Sequence, residues 1–281
     1  MRKLVLVVLT ALLCFAAGWA ADKKTAVKKN KAEPQTAIAP AEQTSGASTN
    51  LQKLEDTDPA VRRNALIYLG AERKKENFGV LSKMLADPEA EVRRAAVNAL
   101  AISGDSRAAS TLIEKFKAED NVNVRVNIVS ALGEMKSKGA IEMMKKLLKD
   151  PYPAFRNEAV RALGKINSPE TYPRIAAMLR DESEGVRVMA AETVARLKIA
   201  AAVPDLQKNL ENPVGVVRRS AADALGAVGD ISVKESLEKM LKDTDQSVVK
   251  AAESALEKIK ARSGTAGKPS VQPEKTERKG K

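Results

Sequence analysis

An arginine recurs along this chain at Arg62, Arg93, Arg125, Arg156, Arg187 and Arg218, at intervals of 31 or 32 residues, and Val249 holds the seventh place. Six residues before each of these positions comes Asp56, Asp87, Glu119, Asp150, Asp181, Asn212 or Asp243. A guanidinium is a fixed fork of donors that matches carboxylates and phosphates, so a regular arginine column could line up anion contacts. In step with an acid column, pairing within the protein is the stronger expectation. The expected Asp–Arg ladder between neighbouring units comprises Asp56, Arg62, Asp87, Arg93, Arg125, Asp150, Arg156, Asp181, Arg187 and Arg218.

Other chemistry is sparse. The chain has no histidine, and its single cysteine is Cys14. Histidine is the commonest general base near neutral pH and the commonest metal ligand, so triads, His-based zinc sites and His–Glu iron sites are excluded. Carboxylate-only hydrolysis and magnesium chemistry stay formally open, but no constellation points to them. The expectation is a non-catalytic protein with no metal and no cofactor.

The elements behind these columns follow from the same period. Apolar residues make up 44% of the chain and aromatics 3%. A core of Ala, Val, Leu, Ile and Met suits closely packed helices. Around each arginine the apolar positions fall one before and three, four, six and seven after, as in Val92, Ala96, Val97, Ala99 and Leu100. That is a helical stripe. A leucine or valine column runs through Leu69, Leu100, Leu132, Leu163, Val194, Leu225 and Leu256, and another through Leu54, Leu85, Leu148, Leu179, Leu210 and Leu241, with Phe116 one place out of step.

Each period therefore reads as two short helices. Asp87-Pro88, Asp150-Pro151 and Asn212-Pro213 are expected to cap and start the second helix. Gly70, Gly133, Gly164 and Gly226 are expected to turn the chain out of it. An alanine column, Ala65, Ala96, Ala159, Ala190, Ala221 and Ala252, implies close stacking between units. Neither helix can bury its stripe alone, so the units must stack. The seventh, with Val249, Glu253 and Glu257, looks like a C-terminal cap.

Outside this body, Met1-Arg2-Lys3, the apolar run Leu4 to Ala17, and Gly18-Trp19-Ala20 read as a secretory signal over residues 1–20. An uncleaved membrane anchor is the alternative, because the apolar stretch nears the roughly 18 to 20 residues that cross a bilayer. Leu13 before Cys14 does not suit a lipoprotein signal. Residues 21–50 read as a disordered linker and 263–281 as a disordered basic tail, leaving 51–262 as the folded body. The expected location is the periplasm or cell envelope, tethered to the membrane if the signal is retained. The net charge is +12, of which residues 51–259 of the repeat body carry only +3, from 34 basic and 31 acidic residues. A nearly balanced body is not a nucleic-acid domain, although the tails could make weak contacts with anionic surfaces.

The pattern D-P-x-x-x-V-R-x-x-A-x-x-A-L-G, close to Asp150–Gly164 (DPYPAFRNEAVRALG), resembles the short HEAT repeats of the phycobilisome-lyase-like, or E-Z, class over Leu51 to about Arg262. The resemblance implies an all-α fold, a right-handed α-solenoid of about seven helical hairpins. It says little about function. Deoxyhypusine hydroxylases, built on similar repeats, hold iron through His–Glu pairs that this chain cannot supply. Bilin lyases work inside the cell, which fits poorly with export.

In a HEAT-like superhelix the second helices line the concave side, so positions one and five past the arginine should face a groove. The expected partner-binding residues are Arg63, Arg94, Asn98, Val126, Asn157, Arg161, Val188, Glu192 and Arg219, with the two valines as exposed apolar centres ringed by Arg and Asn. The reading is a monomeric protein-interaction scaffold with an unidentified protein or peptide partner. The alternative is an adaptor for polyanions or membrane surfaces working through the Lys-rich tails.

Overall fold

The computed structural model describes residues 49–265, all of which lie in the compact unit Glu42–Lys281. The expected signal lies outside the described residues. So do the linker and the basic tail, apart from residues 49–50 and 263–265, which are helical.

Among the described residues there are thirteen α-helices and no strands, preceded by helical turns at 49–55. The second helices of the seven units are α1 (Pro59–Ala71), α3 (Ala90–Ser103), α5 (Val122–Glu134), α7 (Pro153–Ile166), α9 (Glu184–Leu197), α11 (Gly215–Val228) and α13 (Gln246–Thr265). Between them run the first helices α2 (Phe78–Lys83), α4 (Ala108–Ala118), α6 (Ile141–Leu147), α8 (Tyr172–Ala177), α10 (Val203–Asn209) and α12 (Lys234–Met240). Each second helix packs on the second helix before and after it, while each first helix packs mainly on its own partner. The result is an α-solenoid whose two layers share one continuous core.

The aligned columns form that core. Leu69, Leu100, Leu132, Leu163, Val194 and Leu225 are all at most 1% exposed. Burial weakens only in the seventh unit, where Leu256 of this column is half-buried and Leu241 of the other is 39% exposed, because no further unit covers them among the described residues.

Two local expectations are corrected. Asp87, Asp150 and Asn212 do not cap the second helices, which begin three residues later. Their side chains instead accept the backbone N–H of Glu89, Tyr152 and Val214, closing a tight turn before the helix. The prolines after them therefore sit in the turn. True side-chain caps come two residues after the acid column, where Asp58 accepts from Ala60 and Asn121 from Asn123 and Val124.

The glycine column does not make the exit turn either. A Cβ on Gly70 would lie 2.7 Å from Ala99 Cα, one on Gly133 2.8 Å from Ala162 Cα, and one on Gly226 2.8 Å from Ala255 Cα. These glycines lie inside helices and let neighbouring second helices touch backbone to side chain. The exit turn comes three residues further on, where Arg73, Gly104, Lys136, Asn167 and Lys198 all take left-handed φ between 51° and 73°. Only Gly104 and Asn167 belong to residue types that favour that conformation, so the column escaped notice.

Candidate functional site

The arginine column is held in a repeated geometry. Arg62 donates from Nη1 to the carbonyls of Asp56 and Thr57 at 2.8 and 3.1 Å, and from Nε and Nη2 to the Asp87 carboxylate at 2.8 and 2.9 Å. Arg93 makes the equivalent fork to Glu119 at 2.9 Å on both arms, Arg156 to Asp181 at 2.8 Å, and Arg218 to Asp243 at 2.7 and 2.8 Å. Each fork joins one unit to the next and spends at least four of the five guanidinium N–H groups inside the protein, all five in Arg156, whose Nη2 also donates to Glu182. That leaves little to offer an external anion.

Burial alone would raise the Glu119 carboxyl pKa, but hydrogen bonds from Arg93, Lys115 and the Asn121 amide outweigh it and hold the group at about 2. The same competition lowers Asp87, while Asp243 is lowered chiefly by Arg218.

Two rungs differ. No ion pair joins Arg125 to Asp150 among the described residues; its guanidinium lies 4.5 Å from the Phe116 ring centroid and 4.9 Å from that of Phe155. The two rings meet edge to face at 6.3 Å, so a pair of cation–π contacts replaces the carboxylate. Arg187 keeps its bonds to the Asp181 and Glu182 carbonyls at 2.6 and 3.1 Å, but the next unit offers Asn212 in the acid position. Arg187 Nε is buried without a partner. The Asp56 carboxylate, in the first unit, accepts the Asp58 amide and forms no ion pair with an arginine among the described residues.

Positions one, five and nine past the arginine lie four residues apart and form a stripe along each second helix. The expected binding residues are spread along it in unlike states. Arg63, Asn98, Glu192 and Arg219 are exposed. Arg94 is half-exposed and paired with Glu91 at 3.0 Å. Asn157 donates to the Gly185 carbonyl at 3.0 Å, and Arg161 is paired with Glu158. Both are thus committed to structural contacts.

The two valines are not the exposed apolar centres expected of them. Val126 is half-buried and packed against the core, and Val188 is half-buried. The exposed apolar residues on this face are instead Ile67 (58%) and Ile102 (49%), with Tyr68 (62%) beside them. Ile67 and Ile102, with Arg63, Arg94 and Asn98, line a cleft of about 170 Å³ between α1 and α3. Its floor is Ala95 and Ala99, low because Gly70 draws the two helices together. Ile102 is nine past its arginine, a place where later units carry Glu134, Lys165, Arg196, Ala227 and Lys258. That single departure was the available signal.

Among the described residues, no cluster of acidic or sulfur ligands could hold a metal ion, and no helix is long and apolar enough to cross a membrane.

The sequence pattern that defines HEAT repeats matches residues 47–122, 109–186 and 172–257. No curated protein matches the chain. Among solved structures, the YibA protein of Escherichia coli is 23% identical with a TM-score of 0.55, over 77% of this chain and 82% of that one. The complex of CpcE and CpcF of phycocyanin lyase from a Nostoc species is 20% identical with a TM-score of 0.48, over 84% of this chain and 100% of that one. Human deoxyhypusine hydroxylase is 20% identical with a TM-score of 0.40, over 76% of this chain and 84% of that one. At such identities the likeness is one of fold.

Proposed function

Since the chain belongs to the HEAT-repeat family, we propose that it works as a non-catalytic protein-interaction scaffold of the cell envelope, binding a partner protein or peptide on the face formed by its second helices. The observation that carries this reading is the cleft between α1 and α3, where Ile67 and Ile102 stay exposed within a polar rim of Arg63, Arg94 and Asn98. Apolar residues ringed by arginine and amide groups suit a protein interface. Because the forked arginines are occupied within the fold, the ladder serves cohesion and leaves recognition to the stripe. The envelope location rests on the signal-like residues 1–20, and the absence of histidine weighs against catalysis.

The test is affinity capture from an envelope extract with the wild-type chain and an Ile67→Glu/Ile102→Glu variant. Both side chains are exposed, so circular dichroism should show an unchanged fold. The expected outcome is loss of the recovered partner in the variant. Equal recovery would remove the proposed face, and recovery that depended on residues 263–281 and fell steeply with salt would place the contact in the basic tail.

A further inference from the structure

We infer that the cleft between α1 and α3 recognises one bulky aliphatic side chain followed closely by a single carboxylate in an extended partner chain; this deepens the binding face proposed above and rests on it. At about 170 Å³ the cleft suits one side chain, since a cavity of about 150 Å³ takes a benzene-sized group. Its floor of Ala95 and Ala99 and its walls of Ile67 and Ile102 are apolar. An aliphatic anchor there covers surface that is now half open to water, which is the main driving term.

The rim fixes the second requirement. Arg94 is tied to Glu91 by two bonds of 3.0 Å, and Asn98 Oδ1 accepts from Asn127 Nδ2 at 3.1 Å, so neither presents an uncommitted charge. Arg63 is exposed and, among the described residues, makes no ion pair. The rim therefore carries one unmatched positive charge, on the α1 side. Glu91 lines the same cleft from α3 with its charge matched by Arg94, so that side offers no attraction to an acid. One carboxylate, placed toward α1, satisfies both conditions. The positions of later units equivalent to Asn98 and Ile102, such as Arg161 with Lys165 and Glu192 with Arg196, put charge where the Ile102 wall stands.

The full chain, with ¹³C-labelled isoleucine methyl groups, is titrated at low salt with acetyl-Leu-Asp-amide, acetyl-Leu-Asn-amide and acetyl-Ala-Asp-amide while the Ile67 and Ile102 resonances are followed. Leu-Asp is expected to shift both methyls saturably. Replacing Leu by Ala should weaken binding about tenfold, because roughly three apolar groups are lost from a partly open site. Replacing Asp by Asn should weaken it about threefold, as for a solvent-exposed ion pair. Arg63→Gln should abolish the preference for Asp over Asn and keep that for Leu over Ala. Unmoved Ile67 and Ile102 resonances, or equal binding of Leu-Asp and Leu-Asn, would overturn the inference. If capture still fails with Ile67→Glu/Ile102→Glu while the dipeptides show no preference, the binding face stands and only this assignment falls. If capture is unaffected but the preference is present, the reverse holds.

Discussion

The joint between units 2 and 3 and the joint between units 5 and 6 share a backbone and a core but are fastened differently. In the first, Arg93 grips Glu119 by two 2.9 Å bonds, with Lys115 closing on the same carboxylate at 2.8 Å. In the second, Asn212 replaces the acid and Arg187 Nε is left buried and unpartnered, while both joints carry alanine, Ala101 and Ala195, in the glycine column. What holds the later joint is its packed core, a bond from Asn209 to the Leu179 carbonyl at 3.0 Å, and the more exposed Arg180–Asp205 pair at 2.9 Å. The difference teaches that burial of the shared stripe builds the array, while the polar rung sets how firmly one unit holds the next. The joint between units 3 and 4 shows a third solution. There the cation–π contacts of Arg125 with Phe116 and Phe155 take the place of the fork, Glu134 pairs with Lys165, and Gly133 sits against Ala162 as the equivalent glycines do at joints that keep the fork.

The largest expected effect tests the packing half of this comparison. Gly133→Val would drive a side chain into the Ala162 backbone and should cost about 3 kcal/mol. Ala195→Val, in the same column at the joint between units 5 and 6, should cost clearly less. Equal losses in chemical denaturation would mean that glycine does not set the spacing.

An intermediate effect tests the rung. Glu119→Gln leaves Arg93 without its charge partner and should lower stability by about 2 kcal/mol or more at neutral pH. The Glu119 pKa lies below its ordinary 4.5, at about 2, so its contribution is present above about pH 4.5 and is lost as the pH falls toward 2. Thermal melts of the two proteins should therefore differ most at neutral pH and converge across that acid range. A constant gap would assign the loss to something other than the ion pair.

The smallest expected effect would erase the comparison. Asn212→Asp supplies the missing acceptor to Arg187 and should stabilise the chain by about 1 kcal/mol, measured by urea denaturation at pH 7. A neutral or destabilising result would show that the buried Arg187 Nε carries no cost that an acid can relieve.

The candidate site was only partly legible in the sequence. The stripe could be placed because helical spacing puts positions one and five past the arginine on one face. Which of those residues stand free could not be read in the same way. Val126 and Val188 look as exposed in the sequence as Ile67, but both are half-buried, and Val126 packs against the core. Exposure depends on how neighbouring helices splay and on what their side chains cover.

The sequence by itself determined the all-α class, the number of units, the interior columns and the registration of acid against arginine. All of these follow from a fixed period, which makes every unit's neighbour another copy of the same pattern. Only the tertiary structure decided that the acids close turns rather than cap helices, and that the glycines seat one helix on the next rather than end it. It also decided that Arg125 faces two rings, and that one shallow apolar cleft opens between α1 and α3. The physical reason is that these outcomes turn on ångström-scale separations between residues about 30 positions apart, which residue type and spacing along the chain do not specify.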